Sequence, residues 1–253
     1  MLDAQSRHLV LQLALKDFKI RYTHSLLGYA WSVLNPLVFT VIYFLVFSVF
    51  IRFDVPHYPC FLLLGIALWS FFSEGTSNGV GSILARAGIL GKVAMPRAIV
   101  VYAAVLNACL TFVISLAILG AFLWWSGIEV TPAWSVLPLL IADLVMLTLG
   151  VALFLSPLHV RYRDVGYLWN VALQMLFWLT PIIYIEQMIP EQWRWLVTYN
   201  PIARIINYAR QIVIFGTFPN WHGLAKTTLS VVVVLVIGQW TFRRLQARIV
   251  EHF

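Results

Sequence analysis

Three side chains that can carry a proton, Glu74, Asp143 and His159, lie within or at the end of long uncharged stretches. A carboxylate at the middle of a membrane helix costs roughly 2.5 to 3.5 kcal/mol on insertion scales, so such residues are functional candidates. One interpretation is a proton relay or an acid-base site. The other is a packing residue whose polar atoms are hydrogen-bonded. The sequence around Glu74 favours this second interpretation, because Glu74 precedes Gly75-x-x-x-Gly79, a spacing typical of close helix contact.

Standard catalytic motifs are missing from the sequence. Gly91-Lys92 resembles the end of a phosphate-binding loop, but Arg86 stands where the first glycine belongs and Val93 follows the lysine. Neither a Gly-x-Ser-x-Gly elbow nor a His-Glu-x-x-His pair occurs. The two cysteines are isolated, so no metal site or disulfide is expected. Energy for any work by this chain must come from another subunit or from a gradient.

The composition is that of an integral membrane protein. Hydrophobic residues make up 61% of the 253 and charged residues 11%, which leaves too few polar side chains to cover a soluble globule. A span needs roughly 20 apolar residues, so this length allows about six spans with short connections. The expected fold is an all-α membrane bundle within a single transmembrane domain over residues 1–253.

Uncharged or nearly uncharged runs predict where the spans lie. The fifth begins directly after the charged corner Arg161-Tyr162-Arg163-Asp164, and Pro181 near its far end requires the helix to break beside protein or a polar cavity. The bundle is expected over 29–242, with spans at 29–51, 58–84, 99–125, 134–158, 166–185 and 224–242.

Most lysine and arginine residues lie on one of the two membrane faces that the six predicted spans define. Twelve of the 17 lie in the N-terminal segment, the second and fourth loops and the C-terminal segment. The positive-inside rule then predicts that both termini are cytoplasmic. The five on the other face are Arg52, Arg194, Arg204, Arg210 and Lys226.

Residues 5–23 are predicted to form an amphipathic helix along the inner membrane interface. Polar side chains, Gln12, Lys16 and Lys19 among them, recur at helical spacing opposite Leu11 and Leu15. The helix is either a topology anchor or a docking surface for a cytoplasmic partner.

On the opposite face, residues 186–226 contain no spanning run. Short apolar pieces at 193–199 and 212–218, punctuated by prolines, predict re-entrant or interfacial helices.

Aromatic residues are concentrated in the first and fifth spans. They form packing contacts or interfacial belts, or they line a path for sugars, because rings match the apolar faces of pyranoses. The candidate lining residues are Tyr29, Trp31, Phe39, Tyr43, Phe47, Trp169, Phe177, Trp178 and Tyr184.

Several short motifs, in order along nearly the whole chain, resemble those of polysaccharide-exporting ABC permeases of the ABC-2 type. The motifs are Arg21-Tyr22-x-x-Ser25-x-Leu27-Gly28-x-x-Trp31-x-x-Leu34-x-Pro36, Gly91-Lys92-Val93-x-Met95-Pro96-Arg97, Arg163-Asp164-Val165, Trp178-x-Thr180-Pro181-Ile182-x-Tyr184 and Tyr199-Asn200-Pro201. The resemblance implies a homodimeric, non-catalytic permease that exports a lipid-linked glycan, such as an O-antigen or a teichoic acid, across the bacterial inner membrane.

The same resemblance implies two copies of a separate ATPase, which would bind the ATP and Mg²⁺ that this chain does not hold. The ATPase contacts are expected at Gln12, Ile89, Leu90, Gly91, Lys92, Val93, Pro96 and Arg97. Arg161, Arg163 and Asp164 form the inner loop before the fifth span. We further predict that Lys16, Lys19 and Arg21 attract the pyrophosphate of a polyprenyl-linked substrate.

Two alternatives belong to other classes. An ABC-2 permease for a lipid, drug or other small substrate would share the six-span plan, although the aromatic content and the Thr-Pro-Ile-x-Tyr motif argue against it. An intramembrane enzyme would use Asp143, Glu74 or His159, but the sequence offers no recognisable nucleophile or metal set.

Overall fold

The computed structural model describes residues 4–22, 30–50, 55–90 and 96–246, and all regular structure in these ranges is helical. The α-helices in chain order are α1 (Ala4–Tyr22), α2 (Ala30–Tyr43), α3 (Tyr58–Ala85), α4 (Ala87–Leu90), α5 (Ala98–Trp125), α6 (Leu137–Arg161), α7 (Asp164–Leu179), α8 (Trp195–Thr198), α9 (Pro201–Val213) and α10 (Trp221–Leu245). A π-helix (Phe44–Phe50) continues α2, and 3-10 helices occur at Pro132–Val136, Glu186–Met188 and Glu191–Trp193.

Four helices in the described part of the chain are long and apolar enough to cross a membrane. They are α3, α5, α6 with its preceding 3-10 turn, and α10. The predicted first span is divided, because α2 changes to π-helical geometry at Phe44. The predicted fifth span is shorter than its uncharged run, since α7 has 16 residues and ends at Leu179. At 1.5 Å per residue it is about 24 Å long.

The central helix is α3, which packs against α5, α6, α7 and α9. Small residues allow this close approach. A Cβ atom on Gly75 would lie 2.6 Å from Cγ2 of Thr148, and one on Gly79 would lie 2.5 Å from Cβ of Ala152. The predicted role of Gly75-x-x-x-Gly79 in helix packing is therefore confirmed, and the helix that packs against these glycines is α6.

A second close contact joins α6 to α10. A Cβ atom on Gly238 would collide with the Gly150 carbonyl oxygen, and one on Gly150 would lie 2.8 Å from Cα of Leu235. Backbone approaches backbone here, as is common where van der Waals packing rather than the hydrophobic effect joins membrane helices.

The segment after α7 differs in detail from the prediction. The apolar piece at 193–199 does contain α8, but of the piece at 212–218 only the first two residues are helical, and they end α9. The helix there is α9, which begins at Pro201 under an Asn200 cap whose side-chain oxygen accepts from the Ile202 amide at 3.2 Å. A search for uncharged runs misses α9 because it contains two arginines.

Candidate functional site

The chain turns sharply after α7, at Thr180–Ile183, and we call this segment the carbonyl turn. Thr180 has extended backbone angles, and the four residues are buried. Pro181 cannot donate a backbone hydrogen bond, so α7 ends before it. The predicted break is confirmed. Carbonyl groups that the helix no longer uses are expensive to bury unless other donors reach them.

Arg210 of α9 supplies most of those donors. Its Nη1 donates to the Pro181 carbonyl at 2.5 Å, and its Nη2 donates to the Ile182 carbonyl at 2.6 Å. Nη2 also donates to the carbonyl of Phe61 in α3 at 3.2 Å. One guanidinium therefore joins the carbonyl turn, α3 and α9, as its planar set of five donors permits.

Two further side chains complete the carbonyl turn. The Tyr58 hydroxyl donates to the Ile183 carbonyl at 2.9 Å, so three successive carbonyls of the turn accept from buried side chains. The Asn200 amide nitrogen donates to the Thr180 hydroxyl at 3.1 Å. Asn200 thus caps α9 with its oxygen and holds the turn with its nitrogen.

Arg210 is a buried cation, only 2% exposed. Burial lowers the pKa of Arg210 to about 9, which leaves the guanidinium charged at neutral pH. Its charge is met by the carbonyl dipoles and by the ring of Phe61, whose centroid lies 3.3 Å away. Helix α3 allows this approach at Gly65, where a Cβ atom would lie 2.5 Å from Nη2 of Arg210.

Five aromatic rings form a second feature, the aromatic cluster: Phe39, Tyr43, Trp69, Phe177 and Trp178. Ring centroids are 6.0 Å apart for Phe39 and Tyr43 and 6.0 Å apart for Tyr43 and Phe177. Phe177 also contacts Trp69 at 5.8 Å and Trp178 at 5.5 Å. The cluster joins α2, α3 and α7, and Trp178 at its edge is 60% exposed.

The other described residues predicted to line the glycan path, Tyr184, Trp169 and Phe47, make separate contacts. Tyr184 donates its hydroxyl to the Trp178 carbonyl at 2.7 Å, which fixes the end of α7. Trp169 packs instead on Phe72 and donates to the Thr76 hydroxyl at 3.1 Å. Phe47 packs against the buried core.

At the other end of the bundle, α1 is attached to the spanning helices. Its Ala14 is fully buried, and the Ala14 carbonyl accepts from the side-chain nitrogen of Asn107 in α5 at 3.1 Å. Asp17 forms an ion pair with Arg86, which follows α3 directly. These two contacts tie α1 to α5 and to the end of α3.

The described residues predicted to contact an ATPase or the substrate pyrophosphate lie at this same end. Gln12, Lys16, Lys19 and Pro96 are exposed. Arg97 donates to the carbonyl of Gln246 beyond α10, and Leu90 packs on the core.

Only Tyr162 and Arg163 are non-helical in the corner between α6 and α7. Arg161, Arg163 and Asp164 are exposed, whereas His159 accepts from the Gly166 amide at 3.1 Å. A Cβ atom on Gly166 would lie 2.7 Å from the His159 ring. His159 therefore links the end of α6 to the start of α7.

The two carboxylates of the spans lie on different helices. Asp143 is fully buried, and its Oδ2 accepts from the Thr228 hydroxyl at 2.8 Å, which links α6 to α10. Oδ1 of Asp143 has no hydrogen-bond partner among the described residues. Glu74 of α3 is half-buried.

Some predicted site residues lie outside the part of the chain that the structure describes. These are Tyr29, Gly91, Lys92 and Val93. Arg21, Trp31 and Ile89 are described by their backbone only.

Arg210, Tyr58, Trp69 and Asn107 were not predicted as site residues. For Arg210 a signal exists in the sequence, since it shares a helical face with Ala203, Ile206 and Val213, all buried. An arginine on an apolar face needs buried acceptors, and the Thr-Pro motif offers free carbonyls. No comparable signal connects Asn107 to α1.

Comparison with known proteins identifies the family. Residues 8–214 match the ABC-2 type transporter family, and the chain belongs to it. An O-antigen export system permease protein RfbA of Klebsiella pneumoniae is 33% identical over 93% of this chain and 91% of the relative. The protein of the same name from Myxococcus xanthus is 28% identical, over 93% and 90%. The polysialic acid transport protein KpsM of Escherichia coli is 24% identical, over 91% of each.

The chain is therefore a non-catalytic permease whose ATPase is a separate subunit. This agrees with the absence of a phosphate-binding loop from the sequence.

Proposed function

We propose that this chain is the transmembrane subunit of an ATP-driven exporter that moves a lipid-linked polysaccharide out of the cytoplasm. The observation that carries the proposal is the similarity over 93% of the chain to O-antigen export permeases. The transporter consists of two copies of this chain and two copies of a separate ABC ATPase, which binds ATP and Mg²⁺. Each copy is one permease domain that crosses the inner membrane six times, and α2 with its π-helix and α7 are the two additional spans.

The end of the bundle that carries α1 faces the cytoplasm, because most lysines and arginines lie at that end. The carbonyl turn and α9 then face outward. The ATPase docks on Gln12 of α1 and on residues 89–97. Its motion passes into the bundle through the Asp17–Arg86 ion pair and the Asn107 hydrogen bond, which tie α1 to α3 and α5.

The path for the glycan runs along the dimer interface between the first and fifth spans. Apolar side chains of α2 and α7 are exposed in the single chain, as expected of surfaces that a second copy or lipid covers. The aromatic cluster lies between these helices and offers ring faces to sugars without demanding one sequence. At the cytoplasmic end, Lys16, Lys19 and Arg21 attract the substrate pyrophosphate.

A complementation experiment tests the function. The gene is deleted from its source strain, and surface polysaccharide is measured by extraction and gel analysis with and without a plasmid copy. Loss of surface glycan with accumulation of the lipid-linked chain inside the cell is expected, and the plasmid copy restores export. Normal surface glycan in the deletion strain contradicts the proposal.

A further inference from the structure

A cavity with a mixed polar and apolar lining lies directly beside Arg210, next to α9. Its volume is about 430 Å³, within the range of small-ligand sites. Its lining combines the start of α3, the segment after the carbonyl turn, and α9 with the loop that follows it. The polar lining residues are Glu186, Gln187, Asn207, Arg210, Gln211 and Thr217.

Side-chain amides are the commonest polar groups of that lining, with three among its eleven residues. An amide offers both donors and an acceptor, and so does a sugar hydroxyl, so the two types of group pair without a change in charge. The cavity also includes Phe215, which is 51% exposed and therefore presents a ring surface. A carboxylate, several amides and an accessible ring form a set that suits one or two pyranose rings.

The charge of the cavity favours a neutral ligand. Arg210 contributes one positive charge, but both of its terminal nitrogens already donate to backbone carbonyls. Glu186 contributes one negative charge, and its Oε2 accepts from Asn207 at 2.8 Å. Glu186 also lies 3.8 Å from Nη1 of Arg204, so its charge is paired outside the cavity lining. With both arginines occupied, the described part of the chain offers this cavity no free cation for a carboxylate or phosphate.

We infer that this cavity is a glycan subsite that takes a neutral sugar residue of the exported chain after it leaves the transport path. The inference rests on the proposed function for the presence of a glycan at this end of the bundle. Each copy of the permease carries its own cavity, so the polysaccharide that emerges from the transport path meets two such subsites. Hydrogen bonds of this kind hold a moving polysaccharide only briefly, because each bond is weak and the next sugar residue of the chain can take the place of the one bound.

Binding is tested with the purified chain in lipid nanodiscs and the oligosaccharide released by mild acid from the surface polysaccharide of the source strain. Saturation-transfer NMR reports contact between protein and sugar. Phe215→Ala and Gln211→Ala remove the ring and one amide of the cavity. Phe218→Ala and Gln192→Ala are the matched controls, since Phe218 is 52% exposed and neither control residue lines the cavity.

We expect saturable binding to the unaltered chain, about five-fold weaker in either cavity variant and unchanged in the controls. Binding through hydroxyls persists when salt is raised from about 0.05 to about 0.5 M, whereas binding through charge falls. Equal thermal midpoints of all four variants show that they are folded, as expected for exposed side chains.

Absence of binding, equal binding by cavity and control variants, or loss of binding at high salt overturns the inference. None of these results affects the proposed function, which stands or falls on the export measured in the deletion strain.

Discussion

The guanidinium of Arg210 lies 3.3 Å from the centroid of the Phe61 ring, and both residues are buried. This pair fixes α9 against α3 at the level of the carbonyl turn. The proline motif, the glycine at position 65 and the arginine of α9 are thereby parts of one structure. A motif that reads as a helix break in the sequence is a three-element junction in the fold.

Replacing Arg210 by methionine should destabilise the protein. The Pro181 and Ile182 carbonyls then lose a charged donor, and each such hydrogen bond contributes about 1.5 to 3 kcal/mol. We expect a lower yield of monodisperse protein and a lower thermal midpoint in nanodiscs.

The matched variant is Arg194→Met, whose side chain is 45% exposed and pairs with Glu191 at 3.4 Å. An exposed pair contributes about 0 to 1 kcal/mol, so its midpoint should hardly change. Equal stability of the two variants would show that Arg210 does not hold the turn.

Gly65→Ala tests the same junction from α3. The new Cβ would lie 2.5 Å from Nη2 of Arg210 and 3.2 Å from the Ile182 carbonyl oxygen, so either the guanidinium leaves its carbonyl partners or the helices separate. Overpacking of this kind costs about 1 to 3 kcal/mol. Gly81→Ala in the same helix meets nothing within 4 Å and should leave the thermal midpoint unchanged or slightly raised. A neutral Gly65→Ala variant is the contrary result.

The Asp17–Arg86 ion pair is predicted to transmit motion from α1 to α3. Asp17→Arg and Arg86→Asp alone should each lower export while the ATPase still co-purifies. The double exchange should recover most of the lost export, because it restores the pair with reversed polarity. Additive defects in the double variant would mean that the pair plays no part in coupling.

Trp178→Ala should reduce export of long chains. Its ring lies at the exposed edge of the aromatic cluster, in contact with Phe177. Loss of one ring contact with a passing sugar costs about 0.5 to 1.5 kcal/mol, which corresponds to a change of about two- to ten-fold in affinity for the glycan. The length distribution of surface glycan on gels measures this effect. Trp125→Ala is the control, since that ring is 83% exposed at the end of α5. An identical distribution in both variants would make Trp178 an ordinary packing residue.

Hydropathy predicted most of the bundle, because long uncharged runs in a membrane protein become helices almost without exception. The spans at 58–84 and 99–125 differ from α3 and α5 by one residue at most at either end. The runs could not show where α7 ends, since Leu179 and Ile182 are both apolar and the two residues between them, Thr180 and Pro181, carry no charge. They also missed α9, whose two arginines interrupt the apolar pattern although Arg210 is buried.

For the candidate site, the sequence suggested candidate residue types, but it could not show which of these residues contact one another. Aromatic content pointed to α2 and α7, and the structure adds Trp69 of α3 at the centre of the cluster. Contacts between residues more than a hundred positions apart, such as Tyr58 with Ile183, depend on helix packing that no short motif encodes.

The most direct test of the account is affinity purification of the detergent-solubilised chain from its native host, with identification of what co-purifies and an ATPase assay on the eluate. The account predicts a separate nucleotide-binding subunit in equal amount and vanadate-sensitive hydrolysis. A single-chain preparation without hydrolysis, under conditions that preserve other membrane complexes, would contradict it.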